Sequence, residues 1–208
     1  SALDFLPKNK NINYIPNPCD KSFEILNNYK NSCSVDVFFA LSHGVHRGKL
    51  KTGKYDERSI FLKKLIDKTK DVKFEFYGLN KIQPIWADHF FKTISNSKMG
   101  LNLSRGEPIK YYSSDRLTQI IGNGLVTLID EKTGYRDFFD KDEMVFYKNL
   151  NDLSEKILKI SRDDKMRRKI GRKGKAKYLK YFNSTLVAEF IINKTLDINN
   201  KKKFFWHN

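Results

Sequence analysis

The sequence KYYSSDRLTQIIGNGLVTLID, residues 110–130, constrains the fold of this chain strongly. Residues 113–115 (SSD) carry side-chain oxygens of the kind that cap a helix start, and apolar residues at helical spacing follow directly. Gly122 and Gly124 end that helix early, because glycine tolerates the left-handed backbone of a helix C-cap. Residues 125–129 form an apolar, β-branched run that is typical of a buried parallel strand. The segment therefore predicts a loop, a short helix beginning near residue 115, and a core strand.

The start of this short helix is a candidate anion site. A helix start carries free N–H donors and roughly half a positive charge, which suits a phosphate. Arg116 adds a full charge there, and Gln119 projects from the next turn toward a second part of the same ligand. A phosphate contact beside a hydroxyl contact suggests a nucleotide. The alternative is an ordinary capped helix in a doubly wound sheet.

The sequence RLTQIIGNG, residues 116–124, resembles the donor-site helix of the group 1 GT-B-type glycosyltransferases, which use nucleotide sugars. In that family the helix reads R-x-x-E-x-x-x-x-G, its start faces the donor diphosphate, and its carboxylate binds the ribose hydroxyls. Gln119 departs from the pattern, because an uncharged amide binds a diol more weakly or in another orientation. The family's upstream acidic residue has Glu107 as its nearest, more distant, counterpart. The resemblance implies an α/β fold: a Rossmann-like doubly wound parallel sheet forming one half of a GT-B fold.

A second candidate site follows the first predicted strand, residues 34–41. The next loop, SHGVHRGKLKTGKYDER, places glycine and basic side chains just beyond the strand's carboxyl end, where doubly wound sheets bind ligands. Because this loop resembles the first-strand loop of the same family, Gly44, Arg47 and Lys49 are predicted to meet the donor phosphates. A solvated basic loop is the alternative. The two histidines in the loop have no further ligands in evident spacing, so no zinc site is predicted.

The remaining predicted contacts come from other loops at the same sheet edge. The candidates to border the base are Tyr77, at the end of the second predicted strand, and Asn80 and Trp86 in the loop that follows. Tyr111 or Tyr112 is a candidate to pack on the sugar or base, and Glu107 to bind sugar hydroxyls. Ordinary core or surface positions are the alternative for all of them. The full prediction assigns catalysis to Arg47, Lys49 and Glu107, and donor binding to Gly44, Tyr77, Tyr112, Ser113, Ser114, Asp115, Arg116 and Gln119.

The chain is predicted to have three parts. Residues 1–33 are predicted to be an incoming strand and hinge, since the IPN at 15–17 resembles the family's hinge. Residues 34–197 form the nucleotide-sugar-binding domain, and residues 198–208 a basic aromatic tail that is expected to be flexible and to dock on a missing domain. Within the domain, helices are predicted over 57–68, 87–96, 151–161, 163–182 and 184–196, and further strands over 72–77, 98–104 and 143–147.

The net positive charge of the chain indicates which classes of binding partner to expect. The 208 residues include 40 Lys and Arg against 24 Asp and Glu, a net charge of +16 that favours nucleic acid, an anionic bilayer or phosphorylated small molecules. The densely cationic helix at 163–182 can lie on an anionic membrane or be simply solvated. Nucleic acid is not favoured, because no basic strand carries interleaved aromatics and no helix-turn-helix pattern occurs. Two cysteines outside any metal or redox spacing favour a reduced cytosolic setting, and no apolar run is long enough to span a bilayer.

The resemblance implies a hexosyltransferase-like glycosyltransferase that transfers a glycosyl group to a glycan or lipid-linked acceptor in bacterial cell-envelope polysaccharide biosynthesis. The expected location is cytoplasmic, peripheral at the inner face of the membrane. The leaving nucleoside diphosphate would be stabilised by Arg47, Lys49 and the helix start near Arg116, without a metal or other cofactor. Because the opening SALDFLP reads like the middle of a longer protein, residues 1–208 are expected to bind donor but not to turn over. A non-catalytic nucleotide-binding or polyanion-binding domain is the alternative that Gln119 keeps open.

Overall fold

The computed structural model describes residues 12–41, 56–79, 82–112, 114–198 and 202–207. Its centre is a five-stranded parallel sheet in the order β2-β1-β3-β4-β5. The strands are β1 (Val35–Ala40), β2 (Phe74–Tyr77), β3 (Ser97–Asn102), β4 (Val126–Asp130) and β5 (Val145–Tyr147). The helices are α1 (Glu57–Lys68), α2 (Ala87–Ser95), α3 (Asp115–Gly122), α4 (Leu150–Arg162), α5 (Asp164–Tyr181) and α6 (Ser184–Thr195).

This order confirms the predicted Rossmann-like doubly wound sheet. After β1 the chain builds β2 on one side and then crosses to place β3 on the other, so the strand order reverses between β1 and β3. The crevice at such a reversal, beyond the carboxyl ends of the strands, is where ligands bind in open α/β sheets. The α3 start meets the carboxyl ends of β1 and β3 at this crevice.

Local sequence explains the helix starts. Four helices begin after a side chain that accepts a hydrogen bond from an N–H of the first turn, which satisfies one otherwise free donor. These caps are Asp56 to the N–H of Arg58 (3.0 Å), Asn149 to Asp152 (3.0 Å), Asp163 to Met166 (2.8 Å) and Asn183 to Leu186 (3.0 Å). The predicted helix bounds are accordingly close to the observed ones.

Apolar layers cover both faces of the sheet. Alternate residues of β1 point to opposite sides, so Val37 and Phe39 belong to the layer under α1 and α4, whereas Phe38 belongs to the layer under α2. A third cluster joins α3, α5 and α6 through residues such as Tyr178 and Phe182. Among the described residues, no helix combines the length and apolar character needed to cross a bilayer.

Helix α5 differs from the solvated or membrane-facing helix that its charge predicts. Three of its cations point inward and donate to backbone carbonyls of the hinge segment, residues 12–33. Arg167, 1% exposed, donates to the carbonyls of Asn28 and Asn31 at 2.9 Å each. Arg168 and Lys175 bind further carbonyls of the same segment. Part of the positive charge of α5 therefore anchors the hinge segment.

The hinge segment and the tail also depart from expectation. The described residues 12–33 contain no strand, only an isolated bridge from Cys19 to Asn183 and one short 3-10 turn. The tail packs against the domain over residues 202–207: Trp206 is 6% exposed and contacts Phe182, with ring centroids 5.8 Å apart. These aromatic residues dock on their own domain, because α5 and α6 present an aromatic surface that local sequence does not reveal. His207 Nε2 lies 2.9 Å from Asn13 Oδ1, so the two ends of the described chain meet.

Candidate functional site

The α3 start lies at the crevice, with its first turn open. Ser114 is the N-cap residue, with extended backbone, but its side chain makes no cap hydrogen bond. Its Oγ donates instead to Asn102 Oδ1 at the end of β3, at 3.2 Å. Asp115 Oδ1 accepts from Asn17 Nδ2 of the hinge segment at 2.9 Å. The serine predicted to cap this helix is therefore occupied elsewhere. The N–H of Leu117 donates to the carbonyl of Ser114 at 2.9 Å, so the N–H groups of Asp115 and Arg116 are the first-turn donors suited to an anion.

Arg116 spans the crevice itself. Its Nε donates to the carbonyl of Ala40 at the end of β1, and its Nη1 donates to the carbonyl of Leu103 just after β3, both at 3.1 Å. The guanidinium also lies 4.8 Å from the centre of the Phe39 ring. These contacts fix the side chain between the two strands where the order reverses. Both hydrogen-bond acceptors are neutral, so they leave the charge of Arg116 uncompensated.

Burial lowers the pKa of Arg116 to about 10, and the neighbouring Arg58 contributes to the shift. The guanidinium therefore remains protonated at neutral pH. In the described part of the chain no carboxylate pairs with it. A partly buried charge without a counter-charge is costly, and a bound anion would relieve that cost.

Two further arginines converge on the same place. Arg58, in the first turn of α1 and 5% exposed, makes a fork to Asp56: Nε to Oδ1 at 2.9 Å and Nη2 to Oδ2 at 2.6 Å. The bonds from Arg58 lower the pKa of the Asp56 carboxyl. Arg105 Nη2 lies 3.9 Å from the same carboxylate. One carboxylate thus faces two arginines and holds Arg58 beside Arg116.

The arginines line a cavity of about 370 Å³, which also includes Ser114, Tyr112 and Glu107. A second cavity, of about 710 Å³, lies on the other side of the α3 start and is lined by Gln119 and by apolar side chains such as Ile85 and Trp86. Ser114 and Arg116 line both cavities. We call the two together the rim groove; their sizes are those of small-molecule sites.

The rim groove brings together six residues of the full prediction, and Trp86, another candidate for the base, lines its larger cavity. Ser114, Asp115, Arg116 and Gln119 line the larger cavity, whereas Tyr112 and Glu107 line the smaller one. Tyr112 is 49% exposed. The Glu107 side chain is 91% exposed, and its Oε2 lies 3.8 Å from Lys132 Nζ. The carboxylate of Glu107 therefore borders the groove from solvent.

Tyr77 lines neither cavity of the rim groove. Tyr77 packs against Phe38 and against His89 of α2, and its hydroxyl donates to Glu75 at 3.1 Å. Phe38, on which Tyr77 packs, lines the larger cavity. Five predicted residues lie outside the described residues: Gly44, Arg47, Lys49, Asn80 and Ser113.

Two features escaped the reading of the sequence. Arg58 was missed as a site residue, although the Asp-x-Arg of the loop end YDER is a helix start carrying a paired arginine. An Asp-x-Asp sequence also occurs, at Asp140-Lys141-Asp142, before the amino end of β5 and thus at the opposite edge from the rim groove. Asp142 pairs there with Lys173. Within the residues that the structure describes, no group of three or more His, Cys, Asp or Glu side chains is placed to hold a metal.

Comparison with known proteins identifies the family of this chain and solved structures with a similar fold. A family described as glycosyl transferase-like matches residues 57–193. The chain belongs to this family. No curated protein matches it. Solved structures do: TarM matches with a TM-score of 0.62 and 17% identity over 89% of this chain and 39% of TarM.

Two other structures agree. A variant of S. aureus TarM, solved in complex with Fondaparinux, alpha-GlcNAc-glycerol and UDP, matches with a TM-score of 0.63 and 16% identity over 89% of this chain and 40% of its own. Sucrose-phosphate synthase from Thermosynechococcus elongatus matches with a TM-score of 0.55 and 13% identity over 88% and 52%. This glycosyl transferase-like chain thus has the fold of one half of a GT-B glycosyltransferase, and it spans about two fifths of the length of TarM.

Proposed function

We propose that the rim groove binds the nucleoside diphosphate sugar of a glycosyltransferase and that the domain serves transfer of its glycosyl group to a glycan or lipid-linked acceptor. The observation that carries this proposal is Arg116, a charged guanidinium fixed across the crevice by two strand carbonyls and without a carboxylate partner among the described residues. Arg58 and Arg105 line the same cavity. A diphosphate supplies the missing negative charge.

The chemistry of transfer needs that charge. When the glycosyl bond breaks, negative charge develops on the departing nucleoside diphosphate, and donors already in place stabilise it. Such donors are the guanidinium groups of Arg116 and Arg58 and the N–H groups at the first two positions of α3. We assign the same role to Arg47 and Lys49, assign sugar hydroxyls to Glu107, and propose that no metal is required.

The larger cavity suits the nucleoside. Its apolar wall near Trp86, which is 63% exposed, offers a surface for a base, and Gln119 lines the same cavity beside Arg116. Because a TarM variant was solved with UDP, uridine is the first base to test. Tyr77 would then support the base wall from behind through Phe38.

A panel of nucleotides tests the proposal. Melting temperature is measured with UDP, GDP, ADP and their sugars, and with a DNA duplex at low and high salt. At about 100 times the dissociation constant a ligand adds roughly 2.7 kcal/mol, or about 5–10 °C for a domain of this size. Salt-sensitive binding of DNA with no response to any nucleotide would instead support a polyanion-binding domain.

Gln119 makes a specific prediction about the ribose. If its amide binds the diol, Gln119→Ala should remove any preference for UDP over 2′-deoxy-UDP, while Gln119→Glu should strengthen UDP binding several-fold, or about 1 kcal/mol, through a charge-assisted hydrogen bond. Isothermal titration with the two nucleotides measures both effects. Thr195→Ala, at the end of α6, is the control. Equal discrimination by wild type and Gln119→Ala would show that the amide does not contact the diol.

The proposed function also predicts whether residues 1–208 catalyse transfer on their own. We propose that the acceptor is bound by a domain outside residues 1–208, that the protein acts in the cytoplasm at the inner membrane face, and that it serves cell-envelope polysaccharide synthesis. Residues 1–208 should then bind UDP-sugar without measurable transfer to a simple glycoside. Release of UDP at a rate that depends on acceptor concentration would contradict this.

A further inference from the structure

A third cavity, of about 700 Å³, lies beside the edge strand β5, toward its amino end. The turn before β5, the second half of α4 and the first turns of α5 surround it. It shares no lining residue with the rim groove and lies at the opposite edge of the sheet. We call it the β5 groove, and the proposed transferase activity does not use it.

The floor of the β5 groove is apolar. It is formed by the core residues Val145, Phe146, Ile160 and Ile170 together with Met166, which is partly exposed. Long lysine side chains around it add their methylene stems to the apolar surface. An aliphatic chain would find contact along this floor.

The rim of the β5 groove is cationic. The cations that line it are Arg136, Lys141, Lys156, Lys159, Lys165 and Lys169. Its two carboxylates are already engaged: Asp142 pairs with Lys173, and Asp163 caps α5 by accepting from the N–H of Met166 at 2.8 Å. Lys141, Lys159 and Lys165 make no ion pair within the described ranges. The groove therefore complements a ligand that is apolar at one end and anionic at the other.

Two other occupants fit less well. A peptide adding a strand to β5 would need the outward carbonyl of Phe146, but Lys156 Nζ already donates to that carbonyl at 2.7 Å. A second copy of the chain carries a net charge of +16 and would be repelled from a cationic rim.

The geometry points to a binding site for a single-chain anionic amphiphile, with its aliphatic chain on the floor of the β5 groove and its carboxylate or phosphate head between Lys141, Lys159 and Lys165. The ligand binds as a monomer, because the apolar floor is a recess between two helices and a strand rather than a flat surface.

Isothermal titration with decanoate, below its micelle concentration, tests the site. We expect one decanoate per chain, and no binding of octyl glucoside, which is a neutral amphiphile, or of inorganic phosphate. The triple change Lys141→Gln, Lys159→Gln, Lys165→Gln should raise the dissociation constant about tenfold or more, since exposed charge contacts are individually modest but act together here. The matched triple change on α1, Lys63→Gln, Lys64→Gln, Lys68→Gln, should leave it unchanged.

A second variant tests whether the aliphatic chain contacts the apolar floor of the β5 groove. Met166→Glu places a carboxylate beside the aliphatic chain and should abolish decanoate binding. Because Met166 packs against the core, the variant's melting temperature is measured first and the titration is run well below it. Three results would overturn the assignment: equal weakening by both triple changes, equal binding of octyl glucoside, or full binding by Met166→Glu. Binding to anionic phospholipid vesicles without binding of monomeric decanoate would overturn it as well, in favour of a membrane-facing surface.

Discussion

Replacing Arg116 with alanine is expected to weaken nucleoside diphosphate binding about 100-fold, because truncating a desolvated charged partner typically costs 2–5 kcal/mol. The physical reason is the position of the guanidinium, held between the carbonyls of Ala40 and Leu103 and facing both cavities of the rim groove. Arg116→Lys should fall between wild type and alanine, since an ammonium keeps the charge but cannot make the same fork. Titration with UDP measures all three dissociation constants.

Controls separate binding from folding. Arg116→Ala also removes donors from two strand ends, so titrations are run well below its melting temperature, which is measured without ligand. Arg105→Ala removes an exposed arginine from the same cavity and should weaken UDP about tenfold with little loss of stability. Arg172→Ala removes one exposed positive charge on α5, away from the rim groove, and should leave the dissociation constant for UDP unchanged. If Arg172→Ala weakened UDP as much as Arg116→Ala does, the assignment of the phosphate site would be wrong.

Arg167→Ala should destabilise the folded state by about 3 kcal/mol, since it removes several hydrogen bonds from a charged, buried donor. The side chain donates to two carbonyls of the hinge segment and, through Nε, to Asp164 Oδ1 at 2.7 Å. For a domain of this size that loss lowers the melting temperature by about 6–12 °C.

Urea denaturation measures the effect, and the same helix supplies the comparison. Arg172→Ala should shift the free energy of unfolding by less than about 0.5 kcal/mol, because exposed substitutions rarely do more. Arg168→Ala, whose side chain is partly exposed, should fall between the two. If Arg167→Ala and Arg172→Ala had the same free energy of unfolding, the contacts between the buried Arg167 and the hinge segment would not stabilise the fold.

The elements that were predicted correctly are those whose determining residues lie close together in the sequence. Helix α3 was found because its cap-type residues, apolar spacing and terminal glycines all lie within 15 residues of one another. Gly124 adopts a φ of +80°, as its predicted role in ending the helix requires. The doubly wound order followed from alternating strands and helices and from the resemblance to a known family.

The parts that sequence did not predict depend on distant partners. From the sequence, the cations of α5 were interpreted as a solvated or membrane-facing surface. Nothing in residues 163–182 indicates that backbone carbonyls of the hinge segment will accept hydrogen bonds from Arg167. The tail read as flexible for the same reason, since its aromatic partners Phe182 and Phe190 belong to other elements. Arg58 escaped notice because its importance comes from lying beside Arg116, 58 positions later, a neighbour that only the folded sheet supplies.

The contact between Asn13 and His207 has an engineering consequence. Because Asn13 and His207 are in contact, the described domain is suited to insertion into a loop of a host protein, or to circular permutation with a short linker between these two positions. Neither Asn13 nor His207 lines the rim groove or the β5 groove, so an insertion made at these two positions would leave both grooves accessible.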